Sequence, residues 1–354
     1  MEPEILFTEL AGRHGHMGEI ILNRPKMLNA LTESMCIAMH AKLHEWEQAS
    51  HIKAIVIRGA GERAFCAGGD IRAVYALREQ PELAQQFFWH EYRLNHCIYH
   101  LQKPYIALLD GLTMGGGAGL SINGRFRIAT EKLTFAMPET GIGFFPDVGG
   151  SYFLPRCRDY IGWYLALTGT VITAVDALFA GIVDIRIESK HLSELLQELL
   201  AVPWDDADLN ATVQQVIKLF ALPFSPSELS EYAPIIKQCF SQSSIEAILV
   251  ALKQYHEPWA HETMQILATR SPLSLKVVME QLRRGAQLDF DECMRMEYRI
   301  TQHFLQTADF FEGVRAAVID KDRKPHWQPG DLAAVTAEQV AGFFTTLKKE
   351  LNFK

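Results

Sequence analysis

The chain has 354 residues, 48% hydrophobic and 21% charged, which excludes wholesale disorder and allows a large core in one domain or two. Its net charge of −8, with no basic stripe, argues against a nucleic-acid partner, although a local Lys/Arg cluster still suits an anionic small molecule. No apolar run approaches the roughly 18 residues that span a bilayer, so no membrane partner is expected.

In chain order, Ile5–Leu10 and Glu19–Leu22 read as strands, and Asn23-Arg24-Pro25 turns the chain. Thr32 suits the cap of a helix that places Met35, Met39, Leu43 and Trp46 on one face. Lys53–Ile57 is a short β-branched run suited to a buried strand. Tyr105–Leu109, Arg125–Ala129, Leu133–Ala136 and Ile182–Ile187 are further strands. Alternation of strand and helix implies an α/β layer structure with at least partly parallel sheets. From about His191 helical periodicity dominates, in Thr212–Phe220, Ser243–Tyr255, Leu273–Arg284 and Asp291–Gln306. The expected division is an α/β core over residues 1–190 and a helical region over 191–354.

The six cysteines, Cys36, Cys66, Cys97, Cys157, Cys239 and Cys293, form no CxxC pair and sit mostly in apolar stretches. They read as reduced core residues in a reducing compartment. Met1-Glu2-Pro3-Glu4 carries neither a signal-peptide core nor an Arg-rich transit pattern, so a cytoplasmic protein is the expectation.

Four stretches hold more glycine or apolar-flanked charge than a plain core needs. Ala64-Phe65-Cys66-Ala67-Gly68-Gly69-Asp70 and Gly111–Gly119 each follow a strand. Glycines at such junctions leave free N–H groups at a helix start, and two junctions aimed at one oxygen make an oxyanion hole. Tight turns and close packing explain a single Gly-rich loop equally well. Ala136-Met137-Pro138-Glu139-Thr140-Gly141 sets a carboxylate among apolar residues, where burial suits it to proton transfer or covalent work. A helix-capping glutamate is the plain alternative. Asp147 follows eight residues later, before Gly149-Gly150, and taken alone reads as an N-cap.

Three decoys fail on context. Arg58–Ala64 fits a loose GxGxxA fingerprint but opens into Phe65-Cys66-Ala67 rather than an amphipathic helix. His90-Glu91…His96 misses HExxH by two residues, and Gly149-Gly150-Ser151 is no GxSxG elbow. No metal site and no cofactor are expected.

Together the four stretches resemble the crotonase (enoyl-CoA hydratase/isomerase) superfamily over roughly residues 15 to 330. Asn23-Arg24-Pro25…Leu28-Asn29-Ala30-Leu31 looks like its opening signature, and Ala64–Asp70 and Gly115–Gly117 match its oxyanion-hole loops. The resemblance implies an α/β, ClpP-like spiral of ββα units with a helical C-terminal region. It also implies that the Gly69 and Gly116 amides hold a thioester oxygen, with coenzyme A, as part of the substrate, along Lys26, Leu28, Ala30, Ala67 and Asp70. Family hydratases carry one glutamate two residues past the Gly-Gly-Gly, where this chain has Gly119, and a second in a Pro-Glu pair, present as Pro138-Glu139.

One glutamate lost and Asp147 gained is the pattern of the branch that hydrolyses 3-hydroxyisobutyryl-CoA. Glu91-Tyr92-Arg93-Leu94-Asn95, Lys103–Ala107, Arg270–Lys276 and Asp309–Pro325 also resemble that branch. The resemblance gives Glu139 the role of nucleophile or general base, and Asp147 that of hydroxyl binder or proton donor. Glu91 would contact the acyl group or orient the other carboxylates. His90 and Ser151 depart from the branch pattern. The alternatives are an enoyl-CoA isomerase or hydratase, and a non-catalytic acyl-CoA-binding homologue. A homo-oligomer is common in the superfamily.

Overall fold

The computed structural model describes residues 2–204, 208–223 and 225–353. The chain forms two compact units that interleave along the sequence. The first runs up to Gly69, then takes Arg93–Phe135 and Ile172–Ser227; the second takes Asp70–Tyr92, Ala136–Val171 and the chain from Glu228.

The first unit holds the sheets. Its strands are β1 (Ile5–Ala11), β2 (His16–Leu22), β3 (Ile52–Gly59), β4 (Ala64–Cys66), β5 (Tyr105–Leu109), β6 (Leu112–Met114), β7 (Phe126–Thr130), β8 (Thr134–Ala136), β9 (Ile172–Thr173) and β10 (Ile185–Ile187). A six-stranded sheet has the order β1-β2-β3-β5-β7-β10, and a smaller four-stranded one the order β4-β6-β8-β9. β1 and β2 form an antiparallel hairpin, while β2, β3, β5, β7 and β10 pair in parallel. β5 is buried at every position, as a strand covered on both faces must be. The helix Glu33–Gln48 starts at Thr32, whose hydroxyl accepts from the Met35 N–H, and buries Met35, Met39, Leu43 and Trp46.

The helices Leu192–Ala201 and Leu209–Leu219 belong to this unit as well. Leu195, Leu199, Val213 and Ile217 pack in one cluster with Met17, Val56, Ile106, Leu108 and Ile128 of the sheet. The division expected near residue 190 therefore falls inside the first unit. Periodicity shows that a helix has an apolar face, but not which surface that face covers.

The second unit is helical. Its helix Ile161–Thr168 is buried almost all round, with the Tyr164 ring 5.4 Å from Phe240 and 5.5 Å from Trp259. A second aromatic group surrounds Phe144, whose ring lies 5.6 Å from Phe88, 5.5 Å from Phe304 and 5.2 Å from Phe310.

Leu195 is 0% exposed, so Leu195→Ala should destabilise the chain by about 2–5 kcal/mol, the usual result of emptying a core leucine site. The urea midpoint of the full chain reads this out. An unmoved midpoint would detach that helix from the core.

Candidate active site

In the first unit, the chain leaving β4 runs beside Leu28–Leu31. The Ala67 N–H donates to Leu28 O at 3.0 Å and the Leu31 N–H to Gly68 O at 2.8 Å. Leu28 and Asn29 adopt left-handed backbone, with φ of 52° and 57°. Asn29 makes that turn stable: its buried amide donates to Ala60 O at 3.0 Å and to Ala64 O at 2.8 Å. Leu28, Ala30 and Ala67 form a half-buried strip beside the exposed Lys26.

The second glycine loop meets this one. β6 ends at Met114, and Gly115, at φ 47°, leads into the helix Gly116–Ile122. As the first residue of that helix, Gly116 has an amide with no intrahelical acceptor. A Cβ on Gly68 would lie 3.3 Å from Met114 O and 3.6 Å from Gly116 N, so the Gly68-Gly69 and Gly115-Gly116 loops abut. A Cβ on Gly117 would lie 2.3 Å from Cys66 O, a distance that only glycine permits. Gly119 is buried in the same helix, and no carboxylate stands there.

The second unit brings the predicted carboxyl groups together. Glu91, Glu139 and Asp147 are only 2%, 6% and 5% exposed. Glu91 lies on the helix Pro81–His100, and Glu139 opens the short helix Glu139–Ile142. Neither plain alternative from the sequence holds: Glu139 makes no side-chain cap, and the cap position before Gly150–Phe153 is Gly149, not Asp147. One oxygen each of Glu91 and Glu139, Oε1 and Oε2, is buried without a hydrogen-bond partner. Burial first, and then the charge of Asp147, hold the Glu91 and Glu139 carboxyls well above the usual carboxylate range. Burial pushes Asp147 up to about 7, against the opposing pull of the Tyr92 hydroxyl. Asp70 instead caps the helix Ile71–Ala76, accepting from the Ala73 N–H at 3.4 Å.

Three further residues escaped the sequence reading. The Tyr92 hydroxyl donates to Asp147 Oδ2 at 2.6 Å and lies 2.6 Å from Thr301 Oγ1. With the tyrosine proton on Asp147, Thr301 becomes the donor to Tyr92. Glu297, one turn before Thr301 on the helix Phe290–Phe304, is 0% exposed and accepts from the Gly149 and Ser151 N–H groups at 2.8 Å each. These bonds hold the backbone around Val148, a β-branched residue at φ 51°. Burial pushes the Glu297 carboxyl up to about 8. A signal existed: Cys293, Glu297, Ile300, Thr301 and Phe304 share the buried face of this helix, where a glutamate is out of place.

Adjoining glycine amides in the first unit suit an oxyanion, and a buried set of carboxyls in the second suits proton transfer; each is equipment of the kind that enzymes carry. A family model described as enoyl-CoA hydratase/isomerase matches residues 17–344, and the chain belongs to that family. Within it, the chain is 44% identical over 348 residues to a protein described as 3-hydroxyisobutyryl-CoA hydrolase, mitochondrial, from Rattus norvegicus; the match covers 97% of this chain and 90% of that one. The human protein of the same description is 43% identical with the same coverage. Among solved structures, one described as a carnitinyl-CoA dehydratase from Mycobacterium thermoresistibile has a TM-score of 0.92 at 35% identity, covering 100% of this chain and 99% of its own. An enoyl-CoA hydratase from Rhodobacter sphaeroides has a TM-score of 0.87 at 35% identity, covering 99% of this chain and 100% of its own. The crotonase-type α/β fold expected from the sequence is the fold of the chain.

The raised Glu139 carboxyl binds its proton more tightly in the folded chain than in the unfolded one. Its contribution is most favourable below the unfolded value of roughly 4 and declines as pH rises toward the folded value. Glu139→Gln should therefore stabilise the protein at pH 8. The gain at pH 5 should be smaller. Thermal unfolding at both pH values checks this, and equal gains would contradict a buried proton.

Proposed function

We propose that the chain hydrolyses a short 3-hydroxyacyl-CoA thioester, 3-hydroxyisobutyryl-CoA foremost, to 3-hydroxyisobutyrate and coenzyme A. The observation that carries this is Asp147 buried with Glu139 in a chain that has Gly119 where a second hydratase glutamate would stand. The 44% identity to the rat hydrolase supports it.

In this reading the Gly69 and Gly116 amides receive the thioester oxygen, each typically worth about 3 kcal/mol to the charge that develops there. Coenzyme A follows Lys26, Leu28, Ala30, Ala67 and Asp70. The Glu139 carboxylate either attacks the carbonyl carbon or takes a proton from an attacking water. In the first case an anhydride forms, the C–S bond breaks, and water then cleaves the anhydride; in the second, water oxygen bonds directly to the carbon. Both routes expel a thiolate that needs a proton. Asp147, at about 7, holds one near neutrality and can return it. Glu91 contacts the acyl group. A substrate 3-hydroxyl satisfies buried oxygens that a plain acyl chain leaves unpaired, so hydroxyacyl substrates are favoured.

Hydration of an enoyl-CoA is the second reading, favoured by the descriptions of the two 35% identical structures. Gly119 leaves that chemistry without its second carboxylate. Valine catabolism is the pathway that this substrate implies. All six cysteines are free, which supports a reducing compartment. We place the protein in the cytoplasm, whereas the rat and human relatives are described as mitochondrial; cell fractionation distinguishes the two. Among the described residues no helix is long and apolar enough to cross a membrane.

With 3-hydroxyisobutyryl-CoA the pure protein should release free thiol rapidly and leave the enoyl absorbance of crotonyl-CoA unchanged. Glu139→Gln should lower thiol release by at least about 100-fold, as loss of an essential base or nucleophile does. Absent thiol release with a changing enoyl absorbance would establish the hydratase reading instead.

Tyr92→Phe removes a hydroxyl that lowers the Asp147 value. The alkaline limb of kcat, set by loss of the Asp147 proton, should then move to higher pH, with KM changing less than kcat. An unmoved limb would take Tyr92 out of the control of Asp147.

A further inference from the structure

One group of side chains in the first unit has no part in the chemistry above. The helix Glu33–Gln48 carries His40 and His44 one turn apart, with ring centroids separated by 4.6 Å in an edge-to-face arrangement. Cys97, on the helix Pro81–His100, joins them. One ligand atom from each of the three lies within 4.8 Å of the other two. His44 is exposed and His40 half-buried, so an ion has a path from solvent.

A carboxylate faces the same place. Glu47 follows His44 by three residues and His40 by seven, on the same side of the helix. Its Oε1 accepts from the Gln102 N–H at 3.0 Å, while its Oε2 is buried without a hydrogen-bond partner.

We propose that His40, His44 and Cys97 form a binding site for a transition metal of the zinc class, with Glu47 as an outer carboxylate. Two imidazole nitrogens and a sulfur select zinc over calcium or magnesium, which take oxygen ligands. Two histidines spaced i, i+4 present adjacent ligands, and the third comes from a different helix. Binding releases the thiol proton to solvent and leaves Zn2+ with one thiolate, two neutral imidazoles and a fourth position for water. No electron is transferred. The remaining positive charge is offset by Glu47. Such an ion ties the two helices together and stabilises the folded chain by mass action.

Cobalt is the probe, because a cobalt–thiolate bond produces a near-ultraviolet charge-transfer band that histidine or carboxylate binding elsewhere lacks. The full chain should bind Co2+ with that band, lose it on addition of Zn2+, and unfold at a higher temperature with Zn2+ present. Cys97→Ser should remove the band. His44→Gln, at an exposed position that the fold tolerates, should weaken Co2+ binding at least about tenfold and abolish the Zn2+ effect on unfolding. Its metal-free thioester hydrolysis should equal that of the parent. Glu47→Gln should weaken affinity by roughly tenfold and keep the band, as outer carboxylates do. Absence of the band, its persistence in Cys97→Ser, or undiminished binding by His44→Gln would each overturn the site.

Discussion

Burial of carboxyl groups is the constraint from which the chemistry of the second unit follows. Glu91, Glu139, Asp147 and Glu297 are all 7% exposed or less. Charging every one of them would cost several kcal/mol per ion without compensating cations. Their carboxyls are instead held above the usual carboxylate range, and the environment of each decides what else binds it. Glu297 has both oxygens occupied by backbone N–H groups and anchors the loop. Asp147 has the Tyr92 hydroxyl, and Glu139 and Glu91 keep unsatisfied oxygens. Unsatisfied buried acceptors are costly in a free protein and useful in one whose substrate brings donors. Helix Phe290–Phe304 serves both ends of this arrangement, since Glu297 fixes the backbone after Asp147 while Thr301 supports the tyrosine that fixes its carboxyl.

In the proposed reaction the first unit would meet the opposite electrostatic demand with backbone alone. Donors for a developing oxyanion must be rigid and dry, and amides at the start of a helix are both. That demand explains why the loops are so short of side chains. Gly117 must lie against Cys66 O, and Gly68 against Met114 O, before the neighbouring amides can stand close together. The tight turn at Leu28-Asn29 is fixed by the Asn29 amide, so the opening signature is a pin for the Ala67–Gly69 loop.

Much of this was legible in the sequence because it rests on local pattern. The capped helix at Thr32, the buried run of β5 and the two glycine loops all carry their reasons within a few residues. Glu139 and Asp147 stood out as charges among apolar neighbours. Their setting did not, because Tyr92 reaches Asp147 across 55 residues, Thr301 reaches Tyr92 across 209, and Glu297 reaches Gly149 across 148. No local pattern encodes such pairings. The destination of the helices after residue 190 was hidden for a similar reason, since an amphipathic stripe is blind to whether a sheet or a helix will cover it. The short strands β4, β6 and β9 were lost for want of length, at two or three residues each.

Fold similarity cannot separate hydrolysis from hydration here. The chain superimposes on a dehydratase with a TM-score of 0.92, while its sequence is 44% identical to a hydrolase. Both reactions polarise the same thioester carbonyl, so both keep the same glycine loops; they differ in which carbon is attacked. Hydration needs two carboxyls to add one water across the C=C bond while the thioester survives. Hydrolysis needs one group to act at the carbonyl carbon and another to protonate the departing sulfur. Gly119 withdraws a partner from the first scheme. In the proposed reaction a buried acid at about 7, held by a tyrosine hydroxyl, would supply the proton for the second. The change of reaction thus requires no change of fold. A carboxyl is absent from one helix of the first unit and present in a strained loop of the second, and the buried Glu297 keeps that loop in place.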